Sequence, residues 1–173
     1  MKPIPFGRAR RRLVLRAQRR LRLVPGPADG WRFLRHLTFP TRGSAVRAAV
    51  DGLVVTWTLR RRGIKPLLGT VGKPRATKDP VRARQVADAI DAGLGLIPIA
   101  PTCLRRSMTL MRELDRLGLG ATVHIGVRTV DRKVEAHAWV QVGDVVVNDD
   151  ADRIDTYAQI AAGELDTLIP LLK

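Results

Sequence analysis

The stretch from Thr102 to Asp150, TCLRRSMTLMRELDRLGLGATVHIGVRTVDRKVEAHAWVQVGDVVVNDD, decides the fold, because its hydrophobic period changes once, around Gly118 and Gly120. Before the change, Leu104, Met108, Met111 and Leu114 recur at three- and four-residue steps. That spacing predicts a helix from Cys103 to about Leu117, capped by Thr102 and stopped by the glycines. After it, Val123, Ile125 and Val127 alternate along one strand, Asp131-Arg132-Lys133 turns the chain, and Val134 to Val142 form a second strand. Gly143-Asp144 makes another turn into a third strand, Val145 to Asp149. Helices first and an antiparallel meander afterwards define an α+β fold.

Working upstream, Ser44 to Arg62 reads as a helix with Ser44 as its cap, since Val46, Val50, Leu53, Val54 and Trp57 fall at helical intervals and Gly63 ends the run. Residues 63–79, rich in Gly, Pro and Lys, read as a loop. Asp79-Pro80 then offers a cap and a first-turn proline to another helix, with Val81, Val86, Ala89 and Ile90 as its apolar members and Gly93 and Gly95 at its end. Residues 1–30 form a basic arm broken at Pro25-Gly26-Pro27, and 31–173 make one domain.

The chain has 173 residues and a formal net charge of +15. From Met1 to Val24 there are nine Lys or Arg and no acid, whereas Asp144 to Lys173 carries seven acids against Arg153 and Lys173. Such a field speeds encounter with acidic partners but says nothing about the fold. A basic nucleic-acid-binding or scaffold protein is one reading of it. A single tyrosine, three phenylalanines and no base-reading motif give that reading little to stack on bases with, so no specific nucleic acid is expected. The twin-arginine-like start of the arm lacks the apolar core that should follow, and no apolar run approaches the ~20 residues of a membrane span. A lone cysteine without ligand-spaced histidines fits a reducing cytoplasm, with no metal and no cofactor.

Cys103 is that only cysteine, placed at the start of a helix, where unpaired N–H groups and the positive end of the dipole favour a thiolate. Arg105 and Arg106 would add charge if they fold back. His137 shares a strand face with Trp139, a setting for a shielded imidazole base. A cysteine nucleophile needs such a base and a carboxylate to orient it. Pairing leaves two aspartates open: a two-residue turn at Gly143-Asp144 sets His137 opposite Asp150, and a three-residue loop sets it opposite Asp149.

The runs Cys103-Leu104-Arg105-Arg106-Ser107-Met108-Thr109-Leu110, Gly118-Leu119-Gly120-Ala121 and Ile125-Gly126-Val127-Arg128 resemble the leader peptidases of lasso peptide biosynthesis. So do Ala136-His137-Ala138-Trp139-Val140 and Val146-Val147-Asn148-Asp149. These peptidases are transglutaminase-like, papain-related cysteine enzymes. The resemblance runs from about Ser44 to Asp150 and leaves the basic arm outside. It implies that Cys103 is the nucleophile, His137 the base and Asp149 the orienting acid. It also implies removal of the leader from a ribosomally made precursor peptide before a separate ATP-dependent cyclase closes the macrolactam. The helical N-terminal half shows no strand-rich recognition module, so a stand-alone peptidase half is expected, served by a separate leader-recognition protein. Transfer of the acyl group to an amine instead of water, as in a transglutaminase-like acyltransferase, shares the same thioester and is the alternative.

Overall fold

A computed structural model describes residues 39–64, 66–67 and 78–160. The basic arm, most of the expected loop at 63–79 and the last thirteen residues lie outside the described residues. Among the described residues, the helices α1 (Phe39–Arg62), α2 (Pro80–Leu94) and α3 (Cys103–Arg116) precede the sheet. Strands β1 (Thr122–Val130), β2 (Lys133–Val142) and β3 (Val145–Val146), a short helix α4 (Ala151–Ile154) and strand β4 (Ala158–Gln159) follow. The sheet is antiparallel with order β3-β2-β1-β4.

The caps of α2 and α3 follow from local chemistry. Asp79 accepts the Arg82 N–H at 2.9 Å with Pro80 in the first turn of α2, and Thr102 Oγ1 accepts the Arg105 N–H at 3.3 Å at the start of α3. The start of α1 differs from expectation. It begins at Phe39, because Pro40 is tolerated in a first turn whose N–H groups have no partner anyway. Ser44 is not a cap: its buried hydroxyl donates to Glu113 Oε1 of α3 at 2.6 Å.

The facing of α1 is also reversed from the one its apolar period suggests. Val46, Val50, Leu53, Val54 and Trp57 are between 42% and 61% exposed, and the buried side carries Ser44, Ala45, Ala48, Asp51, Gly52 and Val55. Small residues are what this contact requires, since a Cβ on Gly93 of α2 would lie 2.0 Å from the Ala45 carbonyl oxygen. Val81 of α2, expected on its apolar side, is likewise exposed.

Between α1 and α3 lies a charged cluster that no periodicity announces. Glu113, 1% exposed, accepts from Arg47 at 2.5 Å and from Ser44, and buried Asp51 is paired with Arg112 at 3.3 Å and with Arg116. Burial pushes both carboxyls up, and the arginines, joined at Glu113 by the Ser44 hydroxyl, outweigh it and hold them below their usual values. The main apolar core is separate. Val86, Ile90 and Leu94 of α2, Leu110, Met111 and Leu114 of α3, and Val140 and Val142 of β2 meet there. Each such side chain, removed from water, contributes about 1.5–3 kcal/mol.

The β1–β2 hairpin pairs from Thr122↔Gln141 to Val130↔Lys133. Its turn is the two residues Asp131 and Arg132, with φ of 49° and 63°, so Lys133 belongs to the strand and not to a three-residue turn. Gly143-Asp144 is also a two-residue turn, with Val142 opposite Val145. The third strand is shorter than expected, ending at Val146 and not at Asp149. Behind the sheet, away from the helices, Trp139 packs with Val146, Ile154 and Tyr157. Gly126 makes this possible: a Cβ there would stand 2.9 Å from the Trp139 ring and 3.0 Å from Tyr157 Cβ.

Candidate active site

Three separate pieces of structure deliver the three candidate side chains. Cys103 is the first residue of α3 and half-buried, His137 lies mid-strand in β2, and Asp149 stands just before α4. The main core face of β2, with Val140 and Val142, points at the helices, so His137 and Trp139 lie on the other face; Cys103 reaches the imidazole because it is at the tip of α3 and not along its side.

The imidazole is held on both sides. His137 Nε2–H donates to Asp149 Oδ2 at 2.5 Å, which leaves Nδ1 for the thiol, and the two side chains are only 5% and 6% exposed. Trp139 stacks at 6.3 Å between centroids and Tyr157 lies at 5.2 Å, walling the ring off from solvent. Asp149 Oδ1 accepts the backbone N–H of Asp150 at 2.8 Å, and Arg153 stands 3.8 Å away.

These contacts set the charges. Hydrogen bonding to Asp149, then to Cys103, raises the His137 pKa from 6.5 to about 9 although burial opposes it. Burial works against the Cys103 thiolate. Hydrogen bonding to His137 and to the Ala138 backbone, attraction by the imidazolium, and a bond to the Leu104 backbone outweigh it, so the thiol pKa falls below 9.0. Asp149 is likewise lowered against burial, chiefly by its bonds to His137 and to the Asp150 N–H. The three shifts agree on a thiolate–imidazolium pair steadied by a carboxylate.

Both arginines after Cys103 are hydrogen-bonded away from the sulfur, but the Arg106 charge is attracted by Cys103 and Asp149. Arg106 makes a two-point bond to Asp91 at 2.6 and 2.5 Å, and Arg105 donates to the Ala100 carbonyl oxygen. Among the described residues, no three His, Cys, Asp or Glu side chains are placed to hold a metal ion, and no helix is long and apolar enough to cross a membrane.

Pairing logic does not anticipate how the carboxylate arrives. The turn has two residues, the case that sets Asp150 opposite His137, yet Asp149 makes the bond. Val147 N–H still donates to Val140 O at 3.0 Å, but the Val140 N–H goes to Asn148 Oδ1 at 2.8 Å, and the chain leaves the ladder there. Asn148 and Ser107 are the residues a reading for catalytic types passes over. Ser107 had one signal, its place one helical turn after Cys103.

Helices leading into an antiparallel sheet, with a cysteine at a helix start and a histidine on the adjoining strand, are the architecture of a cysteine-dependent enzyme family. The model of the transglutaminase-like superfamily matches residues 46–162, well over half of the chain, and the chain belongs to that superfamily. Its members include cysteine peptidases and acyltransferases. No curated protein and no solved structure matches the chain.

Proposed function

We propose that the chain is a cytoplasmic cysteine peptidase that removes the leader of a lasso peptide precursor, with Cys103 as nucleophile, His137 as base and acid, and Asp149 as the orienting carboxylate. The observation that carries the catalytic part is the buried His137–Asp149 bond at 2.5 Å, on an imidazole that lowers the pKa of Cys103 at the start of a helix. The choice of precursor rests on the motifs at 103–110, 136–140 and 146–149.

The Cys103 thiolate attacks the carbonyl carbon at the leader–core junction, and backbone N–H groups at the start of α3 face the developing oxyanion. Collapse of the tetrahedral intermediate breaks the C–N bond as His137 passes its proton to the leaving amine, which becomes the core N-terminus. His137, now neutral, takes a proton from water, whose oxygen attacks the thioester. The leader carboxylate departs and Cys103 is regenerated. A separate leader-recognition protein presents the precursor, and an ATP-dependent cyclase uses the freed amine.

The test is a reconstituted reaction of this protein, a leader-binding partner and the precursor, with products weighed by mass spectrometry. Free leader and free core are the expected products. A leader joined to an added amine would replace hydrolysis by acyl transfer, and an untouched precursor, with Cys103→Ala equal to wild type, would overturn the enzyme reading.

A further inference from the structure

We propose that Asn148 and Ser107 are positioning residues that select Asp149, and not Asp150, as the partner of His137. Hydrogen bonds between neutral groups make the connection. Asn148 Oδ1 accepts the Val140 N–H at 2.8 Å, Asn148 Nδ2–H donates to Ser107 Oγ at 3.0 Å, and Ser107 Oγ–H donates to the Ala138 carbonyl oxygen at 3.0 Å. Ser107 is fully buried, so its hydroxyl has no water to exchange with.

Each member of this run stands beside one member of the candidate site. Ser107 follows Cys103 by one turn of α3, Ala138 follows His137, and Asn148 precedes Asp149. Ala138 touches both sets: its carbonyl oxygen accepts from Ser107 and its backbone also hydrogen-bonds the Cys103 sulfur. Helix, strand and turn are thus tied at one place, beside the reacting groups.

The selection follows from the ladder. Val142↔Val145 and Gln141↔Val146 are regular pairs, and Val147 N–H continues them to Val140 O. Extended along β2, the same register would set Asp150 opposite His137. Asn148 interrupts it by supplying a side-chain oxygen where the Val147 carbonyl would have accepted, and the backbone turns so that Asp149 meets the imidazole. Asp150 then stands at the start of α4, its N–H bonded back to Asp149 Oδ1.

The proposal rests on Cys103 and His137 acting as a pair, but its test needs no substrate. The rate of Cys103 alkylation by iodoacetamide is measured against pH for the full-length wild type, Asn148→Ala, Ser107→Ala, Asp150→Asn and the double variant Asn148→Ala/Asp150→Asn. Both alanine variants should react about tenfold or more slowly at pH 6.5, with the rise moved toward an ordinary thiol range. Asp150→Asn alone should match wild type, and in the Asn148→Ala background it should slow alkylation further, because the relaxed strand now uses Asp150. Lower thermal stability with an unmoved pH profile would overturn the proposal, as would equal sensitivity to Asp150→Asn in both backgrounds. If Asn148→Ala does not fold, Ser107→Ala and Ser107→Ala/Asp150→Asn decide the matter in the same assay. Should leader release fail while these profiles shift as expected, the peptidase reading falls and the positioning role stands.

Discussion

Two buried polar clusters hold this domain together, and they are built from opposite materials. The α1–α3 contact uses full charges, with Glu113 and Asp51 enclosed by Arg47, Arg112 and Arg116. The contact of α3 with β2 and the turn after β3 uses neutral groups, Ser107, Asn148 and backbone, and keeps its charges for Cys103, His137 and Asp149. A buried carboxylate that loses its arginines is left as an uncompensated charge, which makes the first cluster costly to break. Neutral bonds beside the reacting atoms fix geometry without adding a charge to the local field, so the second cluster leaves the sulfur and the imidazole to set each other's charge.

The largest effect expected on the site side is complete loss of leader release in Cys103→Ala and in His137→Ala, since nucleophile and base act as a unit. The melting temperature should change little in Cys103→Ala and fall in His137→Ala, where buried Asp149 loses its partner. Asp149→Asn should come next, lowering kcat/KM by about 10²–10⁴-fold, because orientation and charge are weakened while thiol and imidazole remain. In that variant, NMR titration should find the His137 pKa moved from about 9 back toward 6.5.

Glu113→Ala is the counterpart on the charged side. It should destabilise the fold by about 1–3 kcal/mol in urea titration, because the buried Ser44 hydroxyl loses its acceptor while Arg47 and Arg116 can turn to water, and it should leave the pH profile of Cys103 alkylation where it was. A moved profile would merge the two clusters into one functional unit.

The pH dependence of stability sharpens the contrast further. His137 has a raised pKa, so its contribution is complete below 6.5 and is lost as pH rises through about 9. Asp149 has a lowered pKa, so its contribution is present above 3.8 and is lost as pH falls through the lowered value. The stability difference between wild type and Asp149→Asn should therefore be greatest between pH 3.8 and 6.5 and shrink on either side. The smallest effect is expected far from both clusters: Val50→Ser on the exposed face of α1 should stay within about 0.5 kcal/mol and leave catalysis unchanged.

What the sequence discloses about this fold is local. The caps at Asp79 and Thr102, the helical step of Leu104, Met108, Met111 and Leu114, and the alternation along β1 and β2 depend on neighbours in the chain, and the structure has them. The α+β order follows from these, and the transglutaminase-like family from the resemblance of the motifs around Cys103, His137 and Asp149. What stayed hidden depends on distant partners. The apolar residues of α1 have the right period but the wrong side, because contact with Gly93 of α2 selects Ala45, Ala48 and Gly52 for their size. Strand β4 is two residues long and has no period to read. Pairing left Asp149 and Asp150 undecided because the turn length was open, and the two-residue turn that forms points to Asp150 only because pairing takes no account of a side chain, Asn148, that enters the backbone ladder.

The wall of the site has an optical consequence. The Trp139 indole is buried, stacked against the His137 ring at 6.3 Å with 21° between their planes, whereas Trp57 lies on the surface. An imidazolium in such contact accepts an electron from an excited indole and quenches it, and a neutral imidazole does so far less. Emission from Trp139, isolated by replacing Trp31 and Trp57 with phenylalanine, thus brightens in two steps, an acid one from His124, stacked at 5.8 Å with its pKa held below 6.5 by burial, and one near 9 that makes the charge state of His137 visible by light in the resting protein.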